Sequence, residues 1–193
     1  MDYKNKIFRE EDLKGEDFKE KSFFKCKFKG ISFHFVIFEK CRFEYCQFSD
    51  SFFEITNFSD CRFRESDLSG LEFSGAKIER CDFSSSIMTD CLFQQLKAGS
   101  KSVTEKFDLK DCLFEDTDLR RSIFIKSDLR KVSFQEADLG EVVFEKCLLE
   151  EADFSGAKTK GTNFDTSRVK KTVLDLDGFL RYGKSKGFVL KRN

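Results

Sequence analysis

The sequence lacks several residue types that globular domains normally use. Its 193 residues include no proline, no tryptophan, three tyrosines and one histidine, and 35 basic residues balance 35 acidic ones. Because the charges balance, the molecule as a whole has no positive field that would attract nucleic acid. A charged partner must therefore bind to one locally charged face of the molecule. Catalysis needs positioned acid, base or nucleophile groups, usually in a cleft. The one histidine, His34, follows Phe33 and is expected to point to solvent, which argues against an enzyme.

Long apolar runs are also missing. No stretch approaches the roughly 20 apolar residues that cross a bilayer, and the N-terminus lacks the apolar core of a secretory signal. We therefore expect no membrane association, a cytoplasmic location and eight free cysteine thiols. The cysteines form no C-x-x-C pair, so we expect them to pack as small buried groups, with neither metal nor cofactor.

What the sequence has in excess is phenylalanine, 26 residues in all, and most of them recur with a period of five. Neither an α-helix, with a period of 3.6, nor a β-strand, with a period of 2, produces this spacing. A first uninterrupted series runs from Phe8 to Phe93, and a second series, displaced by one residue, runs from Leu109 to Phe164. The first series reads Phe8, Leu13, Phe18, Phe23, Phe28, Phe33, Phe38, Phe43, Phe48, Phe53, Phe58, Phe63, Leu68, Phe73, Ile78, Phe83, Met88 and Phe93.

From Phe28 to Phe93 and from Phe114 to Phe164, a smaller side chain stands two residues before each inward one. All eight cysteines occupy this second position, together with Ser, Thr, Ala and Val. Each five-residue unit thus has one large and one small inward residue, and three positions remain for the surface. A chain that turns a corner every five residues closes a square coil in 20. About 7.5 coils, stacked at the ~4.8 Å spacing of neighbouring strands, make a rod of roughly 36 Å.

These units resemble the repeat of the pentapeptide-repeat family, which is a small residue, a polar residue, Leu or Phe, and two mostly polar residues. Examples are Cys41-Arg42-Phe43-Glu44-Tyr45, Ala137-Asp138-Leu139-Gly140-Glu141 and Ala152-Asp153-Phe154-Ser155-Gly156. The resemblance covers about Lys6 to Thr166. It implies an all-β fold, a right-handed quadrilateral β-helix, over residues 1–168.

The pattern is interrupted at residues 94–106, a segment rich in Gly, Ser and Lys. It is interpreted as a loop that projects from the rod and carries function through Lys97, Gly99 and Lys101. The alternative is a single bulge that absorbs one extra residue, since Ala98 and Val103 keep the earlier phase.

The last segment, residues 169–193, is expected to cap the rod, because the end of a solenoid needs a lid. Leu176, Phe179 and Leu180 have helical spacing, and Asp175 or Asp177 is the expected N-cap. Phe188, Val189 and Leu190 form a short apolar run. With the helix, this run is a candidate homodimer contact across a two-fold axis.

The outward positions predict a candidate binding face, on the assumption that the interruption adds one residue and that the later units continue on the same walls of the coil. The inward residues of that wall are then Leu13, Phe33, Phe53, Phe73, Phe93, Phe114, Phe134 and Phe154. Carboxylates in rows along it could occupy a groove that evolved for phosphates. The alternative is that they merely solvate the rod. The candidate acidic residues are Glu54, Glu72, Glu115, Asp116, Glu136 and Asp153.

Within the family, the chain resembles the group that contains Qnr-type quinolone-resistance proteins and immunity proteins against topoisomerase-directed toxins. The shared features are near 200 residues, Phe-rich N-terminal coils, alternating Leu and Phe in later coils, a loop within the rod and an apolar tail. The resemblance implies a dimeric mimic of duplex DNA that binds DNA gyrase or topoisomerase IV without binding nucleic acid itself. The competing hypothesis is a scaffold for another partner, which uses Phe24, Phe35, Tyr45 and Phe52.

Overall fold

The chain coils into a four-walled parallel β-solenoid, seen in a computed structural model that describes residues 2–96 and 104–191. Strands in neighbouring coils pair in parallel with a register of 20 residues, as between Phe23 and Phe43 or Phe38 and Phe58. Each coil therefore takes four five-residue units, and one short helix follows the last coil. The fold class predicted from the five-residue period is confirmed.

The bulky residue of each unit points to the axis, where it stacks on its counterpart one coil away. Phe23 and Phe43 stack with ring centroids 4.7 Å apart, and Phe43 and Phe63 at 4.9 Å. All three are at most 1 % exposed. Such pairs contribute about 0.5–1.5 kcal/mol each beyond burial of their area. The ladder explains why the sequence fills one slot with phenylalanine.

The four walls are numbered in chain order by their inward ladders. Walls 1 and 3 lie opposite one another, because the four units of a coil follow in sequence around the square. Wall 1 holds Tyr3, Phe23, Phe43, Phe63, Phe83, Phe114, Phe134 and Phe154. Wall 2 holds Phe8, Phe28, Phe48, Leu68, Met88, Leu119, Leu139 and Thr159. Wall 3 holds Leu13, Phe33, Phe53, Phe73, Phe93, Phe124, Phe144 and Phe164. Wall 4 holds Phe18, Phe38, Phe58, Ile78, Leu109, Leu129 and Leu149.

Strands are short because each wall is only one unit wide. Wall 2 is held by isolated β-bridges within the described residues. Wall 1 has strands Tyr3–Lys4, Ser22–Phe24 and Arg42–Glu44. Wall 3 has Ser32–His34, Phe52–Glu54, Leu92–Phe93, Ile123–Ile125 and Val143–Glu145. Wall 4 has Asp17–Lys19, Ile37–Glu39, Thr56–Ser59, Ala76–Glu79, Phe107–Asp108 and Ser127–Asp128. A 3-10 turn spans Glu10–Asp12.

Most corners are turned by a residue in the left-handed region, such as Asp116 at φ 54° and Glu136 at φ 58°. A non-glycine residue there costs on the order of 1 kcal/mol. The coil retains it because the corner N–H donates to the next coil, as from Asp116 N to Gln135 O at 2.9 Å. Corner side chains point to solvent, so they are the most protruding groups of the rod.

The interruption adds eleven residues. Across it Phe93 pairs with Phe124, 31 residues on instead of 20. Gln95–Leu96 and Thr104–Glu105 pair as antiparallel strands between walls 3 and 4. The one-residue bulge, and the assumption that a single added residue preserves facing, are therefore wrong. One residue and eleven residues produce the same shift in a five-residue pattern, which is why the sequence did not separate them.

Asp128 fastens the C-terminal side of this insertion to the rod. Its carboxylate is fully buried, accepts two hydrogen bonds from Arg130 at 2.8 and 2.7 Å, and lies within 2.5 Å of Lys106 Nζ. Burial alone would raise the pKa of Asp128, but the hydrogen bonds from Arg130 and Lys106 outweigh it and lower the pKa to about 2. The wall 4 register then resumes at Phe107.

The coil register continues to Val173, beyond the expected boundary at residue 168. An α-helix, α1, spans Leu176–Ser185, and Asp175 caps it by accepting the Gly178 N–H at 2.7 Å. The ring of Tyr182, not Leu176 or Phe179, packs on the last core ring, Phe164, at a centroid distance of 5.9 Å.

Phe124 is the first residue of the wall 3 ladder after the insertion. Its ring centroid lies 4.2 Å from that of Phe93, and its side chain is fully buried. Replacing it in Phe124→Ala should lower the free energy of unfolding by about 3–5 kcal/mol, through lost burial and a cavity. Phe52→Ala, at a position 67 % exposed, should change it by only about 0.5 kcal/mol. Urea denaturation of both variants measures this, and equal losses would contradict the ladder.

Asp128→Asn should destabilise the protein by about 2 kcal/mol at pH 7, because the folded pKa lies well below the unfolded value of about 3.9. In the wild type this contribution is complete above about pH 5 and disappears as the pH falls through about 2. The variant should lack that part of the pH dependence, whereas the exposed control Asp17→Asn should retain it. Urea titrations at several pH values test this; parallel curves for wild type and Asp128→Asn would refute it.

Candidate partner-binding surfaces

The C-terminal half of wall 1 carries five carboxylates and no basic residue at its three outward positions. We call this group the acidic cluster. The carboxylates come from four successive coils: Asp82 and Asp153 lie at isolated β-bridges, and Glu115, Asp116 and Glu136 lie in the turns after the inward rings. Its members are Asp82, Glu115, Asp116, Glu136 and Asp153.

None of these five carboxylates forms an ion pair within residues 2–96 and 104–191. Their partners are neutral: Ser85 donates to Asp116 at 3.3 Å, and Gln135 donates to Asp153 at 2.6 Å. Glu136 lies over Gly156, where a Cβ would come within 2.2 Å of the carboxylate. The five carboxylates thus lack ion-pair partners within the described residues, although Asp82 lies in register with Arg62 of the preceding coil.

Elsewhere, carboxylates often stack on a cation of the next coil. Arg80 forms two hydrogen bonds with Asp60, both at 2.8 Å, and thereby lowers the pKa of Asp60. Arg121 does the same to Asp90 at 2.7 and 2.6 Å. The repeat readily provides such ion pairs, so their absence from the acidic cluster is a specific property of this surface. Carboxylates that only solvate the rod would not need to lack cationic partners.

The six acidic residues named from the sequence do not share one wall. Glu115, Asp116, Glu136 and Asp153 lie on wall 1, whereas Glu54 and Glu72 lie on the opposite wall 3. The eleven-residue insertion moves the later coils by one half turn relative to the assumed register. Glu54 is bonded to His34 at 2.9 Å, and Glu72 accepts from Gln94 at 3.0 Å.

Asp82 is not among the residues named from the sequence, because an interruption of one residue would separate its wall from that of Glu115. It lies in register with Leu113 of the next coil. Its side chain accepts the Ser84 N–H at 3.0 Å. At Asp153, burial raises the pKa, but hydrogen bonds from Ser155 and Gln135 outweigh it, so the pKa is lowered and the carboxylate is charged at neutral pH.

The N-terminal half of wall 1 has the opposite sign. Arg42, Arg62 and Arg64 are exposed, and Arg42 lies directly in register with Arg62. Like charges placed directly opposite destabilise a sheet. Within the described residues these three arginines form no ion pair and line, with Glu44 and Asp82, a cleft of about 510 Å³. Wall 1 therefore changes from positive to negative along its length.

Wall 3 is the apolar side of the rod. Phe35, Phe52 and Ile55 are 53 %, 67 % and 62 % exposed, and Leu92, Ile123 and Val143 form an outward ladder in three later coils. We call these six residues the apolar strip. Of the aromatic residues expected to act together, only Phe35 and Phe52 belong to it. Phe24 and Tyr45 instead pair on wall 1, with ring centroids 5.7 Å apart.

The remaining sequence-based candidates divide between the insertion and the tail. Lys97, Gly99 and Lys101 lie outside the described residues. Of the six tail residues named from the sequence, Leu180 is half-buried and the other five are 60 % exposed or more. Those exposed side chains are Leu176, Phe179, Phe188, Val189 and Leu190.

The cysteines pack as the repeat predicted. All eight are free and buried, and Cys41, Cys61, Cys81 and Cys112 stack in one row before wall 1. Burial raises the pKa of the Cys112 thiol to about 12, so it is not a nucleophile at neutral pH. Within the described ranges, no three His, Cys, Asp or Glu residues are placed to hold a metal ion. Nor does any described helix have the length and apolarity to span a membrane.

Two family models match the chain, and together they cover residues 56–174. One describes a pentapeptide repeat region and matches residues 86–174. The other describes pentapeptide repeats in eight copies and matches residues 56–95. None of the curated proteins is a significant match to this sequence.

Several solved structures resemble the fold. A trypsin-treated variant of QnrB1, a plasmid-mediated fluoroquinolone resistance protein, has 14 % identity and a TM-score of 0.68, with all of both chains covered. Full-length QnrB1 has 16 % identity and a TM-score of 0.49, covering 96 % of this chain and 98 % of that one. HetL of the cyanobacterium Nostoc, involved in heterocyst differentiation regulation, has 13 % identity, 91 % coverage of both chains and a TM-score of 0.36.

At these identities, only the first likeness bears on the argument, and it concerns the fold alone. It agrees with the five-residue period, the register of 20 residues and the two family matches. The chain belongs to the pentapeptide-repeat family, and its fold resembles that of QnrB1.

Proposed function

We propose that this protein is a non-enzymatic binding protein whose acidic cluster occupies a DNA-binding surface of a type II topoisomerase, DNA gyrase or topoisomerase IV. The observation that carries the proposal is the row of five carboxylates on wall 1 without cationic partners among the described residues. Such a row is a mimic of one phosphate strand. The role requires the compartment of the enzyme, which in bacteria is the cytoplasm.

The charge density of the cluster matches that of DNA. Its residues span three coil-to-coil steps, or about 14 Å at ~4.8 Å per step. Five charges over that length amount to about one per 3 Å, and each strand of duplex DNA carries one per 3.4 Å of helix axis. A topoisomerase surface built for phosphates would therefore meet a similar field.

The absence of internal ion pairs also favours binding to a basic partner. A carboxylate already paired with Arg must lose that pair before it binds elsewhere, whereas the acidic cluster exchanges only water and neutral hydrogen bonds. The acidic cluster should attract a basic partner to wall 1, and this attraction should weaken as the salt concentration rises. The exposed arginines of the other half restrict the acidic contact to the C-terminal coils.

The sequence resemblance to the topoisomerase-protection group supplies the second line of support. QnrB1, whose fold this chain resembles, is a fluoroquinolone resistance protein. Protection here would be competitive: the acidic cluster would enter the DNA-binding site of the enzyme, and the insertion at residues 94–106 would contact the enzyme and help to release the drug.

Glu115→Gln, Asp116→Asn and Glu136→Gln, combined in one variant, should weaken protection of gyrase from a fluoroquinolone. Exposed charge pairs contribute about 0.5 kcal/mol each, so three lost charges should raise the protein concentration needed by about tenfold. A supercoiling assay across a range of protein concentrations measures the change.

The matched control removes three exposed carboxylates near the first coil, in Glu16→Gln, Asp17→Asn and Glu20→Gln. It should behave like the wild type. The topoisomerase proposal is wrong if the wild-type protein, in micromolar excess, changes neither supercoiling nor the inhibitory dose of the drug.

The apolar strip favours a second candidate, an interaction scaffold for another protein. Exposed apolar side chains that lie in register over several coils can bury a continuous surface against a partner. Phe35→Ser and Phe52→Ser together should then abolish partner capture, while the acidic triple variant should capture the partner normally. Pull-downs with the wild type and both variants separate the two functions; capture unaffected by either set would exclude both surfaces.

We also propose a homodimer through the C-terminal segment, residues 169–193. Its five most exposed apolar side chains, Leu176, Phe179, Phe188, Val189 and Leu190, would each gain up to about 1.5–3 kcal/mol on full burial. Phe188→Asp and Leu190→Asp together should convert the dimer into a monomer in sedimentation equilibrium. Ile7→Asp, at a 69 % exposed position in the first coil, is the control. A wild-type monomer at high micromolar concentration would rule the dimer out.

A further inference from the structure

The last coil and α1 enclose a cleft of about 660 Å³, which we call the cap cleft. It lies over walls 2 and 3 of the last coil, at residues 159–165, and beneath the C-terminal half of α1. Ligand sites typically have volumes of about 300–1,000 Å³. The acidic cluster and the apolar strip contribute no residue to the cap cleft, so it is a separate feature of the fold.

The cap cleft is basic. Lys160, Arg181, Lys184 and Lys186 line it, against a single carboxylate, Asp165. Arg181 pairs with Asp177 at 2.6 Å and Lys186 pairs with Asp165. Lys160 and Lys184 form no ion pair with any described residue. Two cations in the cleft wall are thus available to a ligand.

The end of the solenoid adds backbone donors. In the coil before, Leu139 N–H donates to Lys158 O, Glu141 N–H to Lys160 O and Phe144 N–H to Asn163 O, each at 2.9 Å. These bonds all point toward the following coil. The equivalent N–H groups one coil later belong to Thr159, Gly161 and Phe164, which line the cap cleft.

No coil follows to accept these three N–H groups, and none of them has an acceptor among residues 2–96 and 104–191. The repeat geometry directs them into the space beneath α1. Thr159 also replaces the apolar residue of the wall 2 ladder. It is 8 % exposed, and its hydroxyl is buried without a hydrogen-bond partner in the described chain. The cleft wall thus holds polar donors that the protein itself leaves unused.

We propose that the cap cleft binds a small phosphate-bearing anion. Backbone N–H groups without an acceptor can donate to anion oxygens, and lysines add point charges for phosphate. The volume accommodates a phosphate ester or a pyrophosphate as well as a bare ion. This site is independent of the topoisomerase proposal, because it uses the opposite sign of charge and shares no residue with the acidic cluster.

The test uses the full chain, with inorganic pyrophosphate as the probe and sodium chloride to match ionic strength. Isothermal titration should show saturable binding, and amide NMR shifts should be largest at Thr159, Gly161 and Phe164. Lys160→Gln with Lys184→Gln should weaken binding by about tenfold or more, since each hydrogen bond to a charged group is lost. Lys170→Gln with Lys171→Gln removes equal charge outside the cleft and should leave binding unchanged.

Three results would overturn the proposal. They are no saturable binding of pyrophosphate in the millimolar range, equal weakening in the control variant, and shifts spread over the lysines of all walls. Far-ultraviolet circular dichroism of both variants verifies that α1 and the coil are intact. A cleft that binds pyrophosphate while gyrase is unaffected would support this site and reject the topoisomerase proposal, so the two are separable.

Discussion

The whole structure depends on the stacking of each inward residue on its counterpart one coil away. The Phe23, Phe43 and Phe63 rings lie less than 5 Å apart, and backbone hydrogen bonds connect the same coils. Each coil contacts only its neighbours, so stability accumulates step by step along the rod. Since the axis is filled with side chains, no room remains there for a ligand. Recognition is left to the outer walls, the insertion and the capped end.

The same constraint decides which outward residues lie together. A side chain one residue before or after a stacked ring shares its wall with residues 20 positions away, or 31 positions away across the insertion. Corner residues in the left-handed region project furthest, which places Asp116 and Glu136 at the edge of wall 1. The exposed arginines and the acidic cluster therefore share wall 1, and the apolar strip lies on wall 3, although the chain as a whole has no net charge.

Much of the fold was predictable because the same five-residue pattern of inward and outward residues recurs along most of the chain. The inward series from Phe8 to Phe93 and from Leu109 to Phe164 is buried throughout, and so are all eight cysteines. The Asp175 cap of α1 was also one of two predicted choices, because its spacing from the apolar residues of α1 is local information. Local patterns of this kind predict the structure correctly because each unit packs against the neighbouring coils in the same way.

The candidate site was less predictable, since it depends on the number of residues that the insertion adds. The five-residue period has the same phase after one added residue as after eleven, so the sequence could not distinguish the two. Glu54 and Glu72 were therefore grouped on one wall with Glu115, Asp116, Glu136 and Asp153, although these lie on the opposite wall. Phe107 shows a similar limit: it fills a small-residue slot of wall 4 beside the insertion, where the pattern gave no signal. The helix after the last coil was predictable, but its ring contact was not, because Tyr182, a residue outside the apolar pattern, packs on Phe164.

The register across the insertion is therefore the central claim, and cross-linking measures it most directly. The structure places Leu92 next to Ile123, so Leu92→Cys with Ile123→Cys should form a disulfide, because neighbouring coils lie within the Cα separation that a disulfide spans. An insertion of one residue would instead place Leu92 next to Leu113. The account predicts, by mass spectrometry, a cross-link in the first pair and none in Leu92→Cys with Leu113→Cys. The reverse result would contradict it.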